Sequence, residues 1–407
     1  MTRTTPFRPV APEATTPRHT DQPQWLPIFS LAFVVMNLIT SEFLPVSLLT
    51  PIAQDLGVTE GAAGQMISAT SVAAVITSLL TAPVTRRFDR KAVLLGASVA
   101  LILSNVLVAL APNLAVIMLA RLLLGVAMGS FWSLSNATTL RLTPKHLIAR
   151  ALAVTSGGVA IANVFAPPMG SLLGETLGWR GVFGVAALLG VIGLGWQWIS
   201  LPRLSPGRPA ELRTLFRLLD RPQVRVAVAA LVLTFGGYML FFAYLRPFLE
   251  QVTHLTVAQV SGVFLALGVA GVVGTALSSR LLTWNLRRVH ILVPLVTGVL
   301  VLGLLLVGAS AVWTTVVLVL LGLVNSVLPV AWGTWLAVAV PDEAESAGGL
   351  QIAAIQLGMT LGAVLGGVMF DRSGSGGLLF SSGAALIIGA VLIGRGLNHR
   401  STAPADA

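Results

Sequence analysis

The sequence predicts an all-α membrane protein: twelve transmembrane helices in two pseudo-symmetric six-helix halves. Three observations lead there. The chain of 407 residues is 55% hydrophobic and only 10% charged, with a mean hydropathy of +0.89, where a soluble domain carries roughly 25% charge. Apolar runs of the roughly 20 residues that a helix needs to cross a bilayer recur twelve times. The basic residues collect on alternate connections between those runs.

The runs cover about 26–49, 61–83, 92–111, 114–136, 151–173, 181–200, 224–246, 258–279, 290–309, 312–338, 348–370 and 377–396, and are called spans 1 to 12. Residues 1–25 form a Thr- and Pro-rich tail expected to be disordered. Span 1 is too long for a signal-peptide core and no small-residue cleavage site follows it, so it is read as a retained span. Residues 26–200 make the N-terminal half, 201–223 a linker, 224–396 the C-terminal half and 397–407 a tail. In the linker Leu212, Leu215, Phe216 and Leu219 recur at helical spacing between Arg213, Arg217 and Arg221. That pattern suits a short amphipathic helix lying on the cytoplasmic leaflet, with a disordered linker as the alternative.

Of 25 Lys and Arg residues, 21 fall on one set of connections and tails, three (Arg180, Arg246, Arg372) on the other, and Arg121 inside span 4. This positive-inside pattern places both termini in the cytoplasm. It also accounts for the net charge of +10 without nucleic acid as a partner. No cysteine is present, which excludes disulfides, thiolate metal sites and a cysteine nucleophile. The five histidines lie in tails, loops or span ends, no His/Asp/Glu set has metal spacing, and no phosphate-cradling loop occurs. Neither a metal nor another cofactor is expected, and neither ATP drive nor hydrolysis has residues to run on. The expected partners are protons, a small-molecule substrate and the lipid bilayer, with the chain as a monomer.

The halves repeat. A shift of 196 residues lays span 5 on span 11, matching Gly170, Glu175, Gly178 and Gly181 with Gly366, Asp371, Gly374 and Gly377. It lays Glu42 on Tyr238, Arg121 on Val317, and Arg90-Lys91 within one residue of Arg287-Arg288. Two parallel repeats around a midplane site is a secondary-transporter architecture.

Of fifteen acids, only Glu42 lies well inside a span. A charge at membrane depth costs several kcal/mol, so it is kept for a function and has a partner nearby, or else is a protonated structural group. Glu42 in span 1 and Arg121 in span 4 each lie about seven residues from the outer end, roughly 10–12 Å below it. The matched depth makes a pair. A carboxyl's proton affinity rises on burial and falls beside a guanidinium, so a conformational change that alters the pair would couple protons to transport. The alternative is a static ion pair.

The remaining candidates are aromatic and amide positions. Arg121, Gly125, Gly129 and Trp132 share one stripe of span 4, which suggests a cavity wall. Asn325 and Trp332 share a face of span 10, and Gln356 and Thr360 share one of span 11, beside a ridge of Gly358, Gly362 and Gly366 suited to helix contact. Together with Tyr238 these suit a flat, polar, uncharged ligand, although packing or an interfacial belt would also account for each Trp alone. Gating candidates are Arg87, Arg90 and Lys91 in the 2–3 loop. Pro167, with Pro168, should break or kink span 5.

The 2–3 loop, 82–91, resembles the signature of the major facilitator superfamily there, matching it at Arg87, Arg90 and Lys91 and departing from it at Ala82, Arg86 and Asp89. Arg121 with Gly125 and Gly129 is similar to the span-4 motif of its twelve-span drug–proton antiporter branch. Ala166-Pro167-Pro168-Met169-Gly170 is similar to that branch's span-5 motif, and Gly178-Trp179-Arg180 to its outer 5–6 loop. Glu42-Phe43-Leu44-Pro45-Val46-Ser47-Leu48-Leu49-Thr50-Pro51, Leu328-Pro329-Val330-Ala331-Trp332, Thr334-Trp335 and Ala354-Ile355-Gln356-Leu357 most resemble the bacterial purine ribonucleoside efflux pumps. That resemblance implies a proton-coupled antiporter of the bacterial inner membrane exporting inosine- or guanosine-like nucleosides. Exporters of sugars or drugs, and a passive facilitator with Glu42 structural, remain open beside it.

Overall fold

A computed structural model describes residues 24–84, 89–144, 147–203, 218–339 and 344–397. Eight helical stretches among them are long and apolar enough to cross a membrane. Three of these, Ile148–Ser200, Val257–Val307 and Ala344–Gly396, are about twice the length that a span requires. Each is broken once, at Gly178, Asn285 and Gly374 respectively, and therefore crosses twice. With the less apolar Glu60–Val84, the crossings number twelve. No strand occurs among the described residues.

The helix carrying span 1 is Trp25–Leu56, that of span 2 Glu60–Val84, that of span 3 Arg90–Ala109 and that of span 4 Leu114–Arg141, so that Asp55 and Glu60 lie beyond the membrane-spanning parts. Spans 5 and 6 share Ile148–Ser200. Span 7, Pro222–Phe242, runs into a short helix, Leu245–Gln251. Spans 8 and 9 share Val257–Val307, and spans 11 and 12 share Ala344–Gly396. Span 10 is two helices, Ala311–Asn325 and Val327–Ala339, interrupted at Ser326. The expected linker helix falls largely on 204–217, outside the described residues; Leu218, just beyond, is buried against span 7.

Backbone geometry bears out the 196-residue repeat. Four described residues have positive φ: Gly57 (62°), Gly178 (69°), His254 (56°) and Gly374 (60°). Gly178 and Gly374 are 196 apart; Gly57 and His254 are 197 apart. The left-handed region reverses the chain tightly, and Gly enters it without a Cβ clash. The other end of the molecule repeats as well. Lys91 Nζ donates to the carbonyls of Trp198 (2.9 Å) and Leu201 (2.6 Å), holding the end of span 6. Arg287 Nη2 donates to the carbonyl of Gly394 at the end of span 12, at 3.2 Å. Cations suit helix C-termini, where carbonyls lack helical donors.

Glycines set the close seams inside each half. A Cβ on Gly358 would stand 2.8 Å from the Val232 carbonyl oxygen, and one on Gly366 2.7 Å from that of Leu240, so the glycine ridge of span 11 packs on span 7. Gly125 and Gly129 of span 4 abut the backbone of span 2 at Thr70, Ala74 and Ser78. The stripe expected to face a cavity is therefore in part a helix seam, because backbone can approach backbone only where a Cβ is missing. Span 5 is not broken at Pro167-Pro168: the helix runs on through both, and its one non-helical residue is Gly178. Neighbouring helices accommodate such prolines in membranes; Gly268 of span 8 lies against Val164 and the Asn163 carbonyl that Pro167 leaves without a donor.

The apolar core is divided unequally. On the side of the two chain ends, called here the terminal side, each half has its own cluster. One gathers Ile28, Leu31, Leu101, Leu124 and Phe131; the other gathers Leu218, Ala230, Val289, Trp332 and Ile393. On the opposite, distal side a single cluster joins both halves, from Leu48 and Ile117 through Tyr244 and Phe248 to Leu318 and Leu378.

Candidate functional site

Span 1 places Glu42 at the boundary between the shared and the separate cores. Glu42 is 5% exposed and Arg121 fully buried. Proline explains how the guanidinium is held. A helical N–H bonds the carbonyl four residues back, and Pro45 has none, so the Ser41 carbonyl lacks its helical donor. Arg121 Nη1 fills that place, donating to Ser41 O at 2.9 Å. The Arg121 guanidinium also lies over the Phe183 ring at 5.4 Å. Asn105 of span 3 adds a bond from Nδ2 to Ser41 Oγ at 2.9 Å.

The guanidinium thus rests on the residue before Glu42 rather than on its carboxyl group. Glu42 Oε1, Arg121 Nε and Nη2, Asn105 Oδ1 and Ser104 Oγ have no protein partner. Buried polar atoms in that state are places for water or protons. Ser41, Asn105 and Phe183 were not singled out in the sequence. The available signal was the spacing Ser41-x-x-x-Pro45, which marks a freed carbonyl.

The expected substrate residues are spread over three surroundings. Tyr238 is half-buried in span 7 and stacks on Phe242 (5.2 Å, 18°), which meets Phe43 edge-on at 5.9 Å. Trp132 is half-buried against the terminal-side core of the first half. Trp332 is 1% exposed and is enclosed by His290 at 4.6 Å and Trp335 at 5.8 Å. Asn325 ends the first helix of span 10 beside the Ser326 interruption; it and Gln356 are half-buried. Tyr238 therefore packs against the shared core, and the two tryptophans belong to the separate cores of opposite halves.

Among the gating candidates, Arg87 lies outside the described residues. Asp89 caps span 3 by accepting from the Lys91 N–H at 2.9 Å, and Lys91 reaches span 6 as above. The Gly178-Trp179-Arg180 motif ties down the distal end of span 1. Trp179 Nε1 donates to Asp55 Oδ2 at 3.2 Å, and Arg180 pairs with the same carboxylate and donates to Ala111 O at 3.1 Å. That guanidinium holds the Asp55 carboxyl below its ordinary pKa.

Across the halves, the distal side carries a set of hydrogen bonds. Asp371 accepts from the Thr59 hydroxyl at 2.8 Å and the Gly61 N–H at 3.1 Å. Gln251 donates to the Glu60 carboxylate at 2.8 and 3.0 Å. The Tyr244 hydroxyl lies 2.9 Å from Ala363 O and 3.5 Å from Gly61 O. Deeper in, Ser68 Oγ reaches Thr360 O at 3.4 Å. Burial, Glu250 and Asp371 together push the Glu60 carboxyl above its ordinary pKa.

The Major Facilitator Superfamily profile matches residues 29–362, and the chain belongs to that superfamily. It is a multi-pass membrane transporter by family and fold, not an enzyme. The chain is 44% identical to a Pseudomonas aeruginosa protein named transcription regulatory protein OpdE, over 94% of this chain and 95% of that one. It is 40% identical to the purine ribonucleoside efflux pump NepI of Escherichia coli K12, over 91% and 94%. Among solved structures, a D-xylose-proton symporter superposes with a TM-score of 0.72 at 15% identity, covering 92% of this chain and 98% of that one. A bacterial homolog of the human lysosomal transporter Spinster, in an inward-facing and unoccupied conformation, gives 0.75 at 15%, covering 95% and 100%. These two support the fold.

Proposed function

We propose that this chain is a proton-coupled antiporter that exports purine ribonucleosides by alternating access. In this reading it sits in a bacterial inner membrane as a monomer, both termini cytoplasmic, and its units 26–200 and 224–396 rock about the linker 201–223. The observation that carries it is Glu42: a buried acid with an unpartnered oxygen, one residue from the carbonyl that holds a buried Arg121. Moving Arg121 onto the carboxyl, or admitting water to it, changes the proton affinity of Glu42. That is what proton coupling requires. The name of the NepI relative supports nucleoside efflux.

The substrate binds between Tyr238 at the apex and Trp132 on one wall, with Asn325 and Gln356 as hydrogen-bonding amides. Trp332 has no free ring face and backs the other wall, its unpartnered Nε1–H being the one group it could offer. Arg87, Arg90 and Lys91 act in the terminal-side gate and Pro167 in the flexing of span 5. Glu42→Gln in proteoliposomes should leave a folded protein whose nucleoside flux no longer responds to a pH gradient, a loss of ~100-fold or more for an essential proton carrier. Exchange at the wild-type rate removes Glu42 from the mechanism. Uphill transport separates the antiporter from a facilitator with a structural Glu42. A panel of nucleosides, sugars and cationic drugs, tested as competitors, fixes the substrate class.

A further inference from the structure

The helix of span 1 contains a further interior proline, six residues beyond Pro45. Pro51 leaves the Ser47 carbonyl without a helical donor, as Pro45 does for Ser41. Both freed carbonyls are taken by buried arginines. Ser41 O receives Arg121 from span 4 of the same half. Ser47 O receives Nη1 of Arg246, which leads the short helix Leu245–Gln251 of the other half. The Arg246 side chain is 6% exposed, and its Nε donates to Glu250 Oε1 at 2.7 Å, so the guanidinium is aimed from behind.

We propose that Arg246 is the bolt of the distal gate and that Pro51 supplies its socket. Of the other cross-half bonds, those among Thr59, Glu60, Gln251 and the Asp371 carboxylate lie at exposed or half-buried positions, where water and salt weaken polar contacts, and the buried ones from Ser68 and Tyr244 are long, at 3.4 and 3.5 Å. A charged donor on a buried carbonyl is the stronger kind of bond. The socket lies five residues beyond Glu42 on the same helix, while the bolt continues the helix that carries Tyr238. Opening the distal side therefore withdraws a guanidinium from the helix that holds the buried acid. This inference depends on superfamily membership alone, and not on the substrate or on the proton role of Glu42.

The absence of native cysteine makes the test direct. Ser68, whose hydroxyl faces the other half below the gate, becomes the one thiol by Ser68→Cys. A membrane-impermeant maleimide is supplied from the distal face of sealed, oriented vesicles, and the labelling rate follows the open fraction. In that background Arg246→Gln, and separately Pro51→Ala, should raise the rate about ten-fold or more, as expected for loss of a charged hydrogen bond. Pro51→Ala keeps every charge and restores the helical bond, so it reports even if Arg246→Gln fails to fold. Labelling of Pro51→Ala at the parent rate overturns the proposal. No substrate or pH gradient enters the readout, so its failure and the failure of the antiport reading are distinguishable.

Discussion

The distal and terminal sides of this bundle are built from the same helices but joined differently. Distally, the halves share one apolar core and are bonded to each other through Asp371, Gln251 and Arg246. On the terminal side each half closes its own core, and the polar contacts of Lys91 and Arg287 stay within a half. Under the proposed alternating access, that difference separates the contacts that part from those that persist. A seam inside a half has to survive every conformation, whereas one between the halves has to be releasable.

Glycine substitutions test that distinction most severely. A methyl on Gly358 would meet the Val232 carbonyl oxygen at 2.8 Å inside the C-terminal half. No motion of the halves relieves that clash, so Gly358→Ala should lower unfolding stability by about 1–3 kcal/mol, read as a fall in Tm in detergent. A methyl on Gly61 would lie against the Asp371 carboxylate, 2.6 Å from Oδ1, between the halves. Gly61→Ala should instead open the distal side while the fold persists, visible as a longer distance between spin labels at Gln54→Cys and Arg372→Cys. If both variants lose Tm alike, the two seams are not different in kind.

Smaller effects sharpen the comparison. Tyr244→Phe removes a hydroxyl that bonds Ala363 O within the C-terminal half and only approaches Gly61 O of the other half at 3.5 Å; it should lower stability by about 1 kcal/mol, read as a fall in Tm, and leave the distance of the same label pair unchanged. The last is a pH dependence. In the closed gate the Glu60 carboxyl lies above its ordinary 4.5 because it is buried near Glu250 and Asp371; when the halves part, it reverts toward that value. A raised pKa favours the closed form below the ordinary value, and that advantage is lost as pH rises through the raised one. Arg246, which pairs with Glu250, is the further charged group beside them. Lowering pH toward 4.5 should shorten the mean label distance, and Glu60→Gln should flatten that response.

Reading the chain in one dimension recovered depth well and contact poorly. Twelve apolar runs and the 196-residue offset needed only composition and spacing, because a helix in lipid satisfies its own backbone and its length is set by the bilayer. The offset anticipated the paired turns at Gly178 and Gly374. Glu42 stood out because every other acid lay in a tail, loop or span end. Gly125 and Gly129 meet the backbone of span 2, which the stripe alone does not reveal, because periodicity gives a helix its faces without saying which neighbour each face meets.

By itself, then, the sequence determined the class of fold, the number of crossings, the repeat and the one acid placed in oil. Even the two freed carbonyls of span 1 are written there, in Ser41-x-x-x-Pro45 and Ser47-x-x-x-Pro51. Which guanidinium takes each of them was decided only by tertiary structure. Arg246 lies 199 residues from Ser47, and their meeting depends on how each helix is rotated and on which side of the bundle is closed. Local chemistry prepares an acceptor at a known depth, but only packing brings a donor to it.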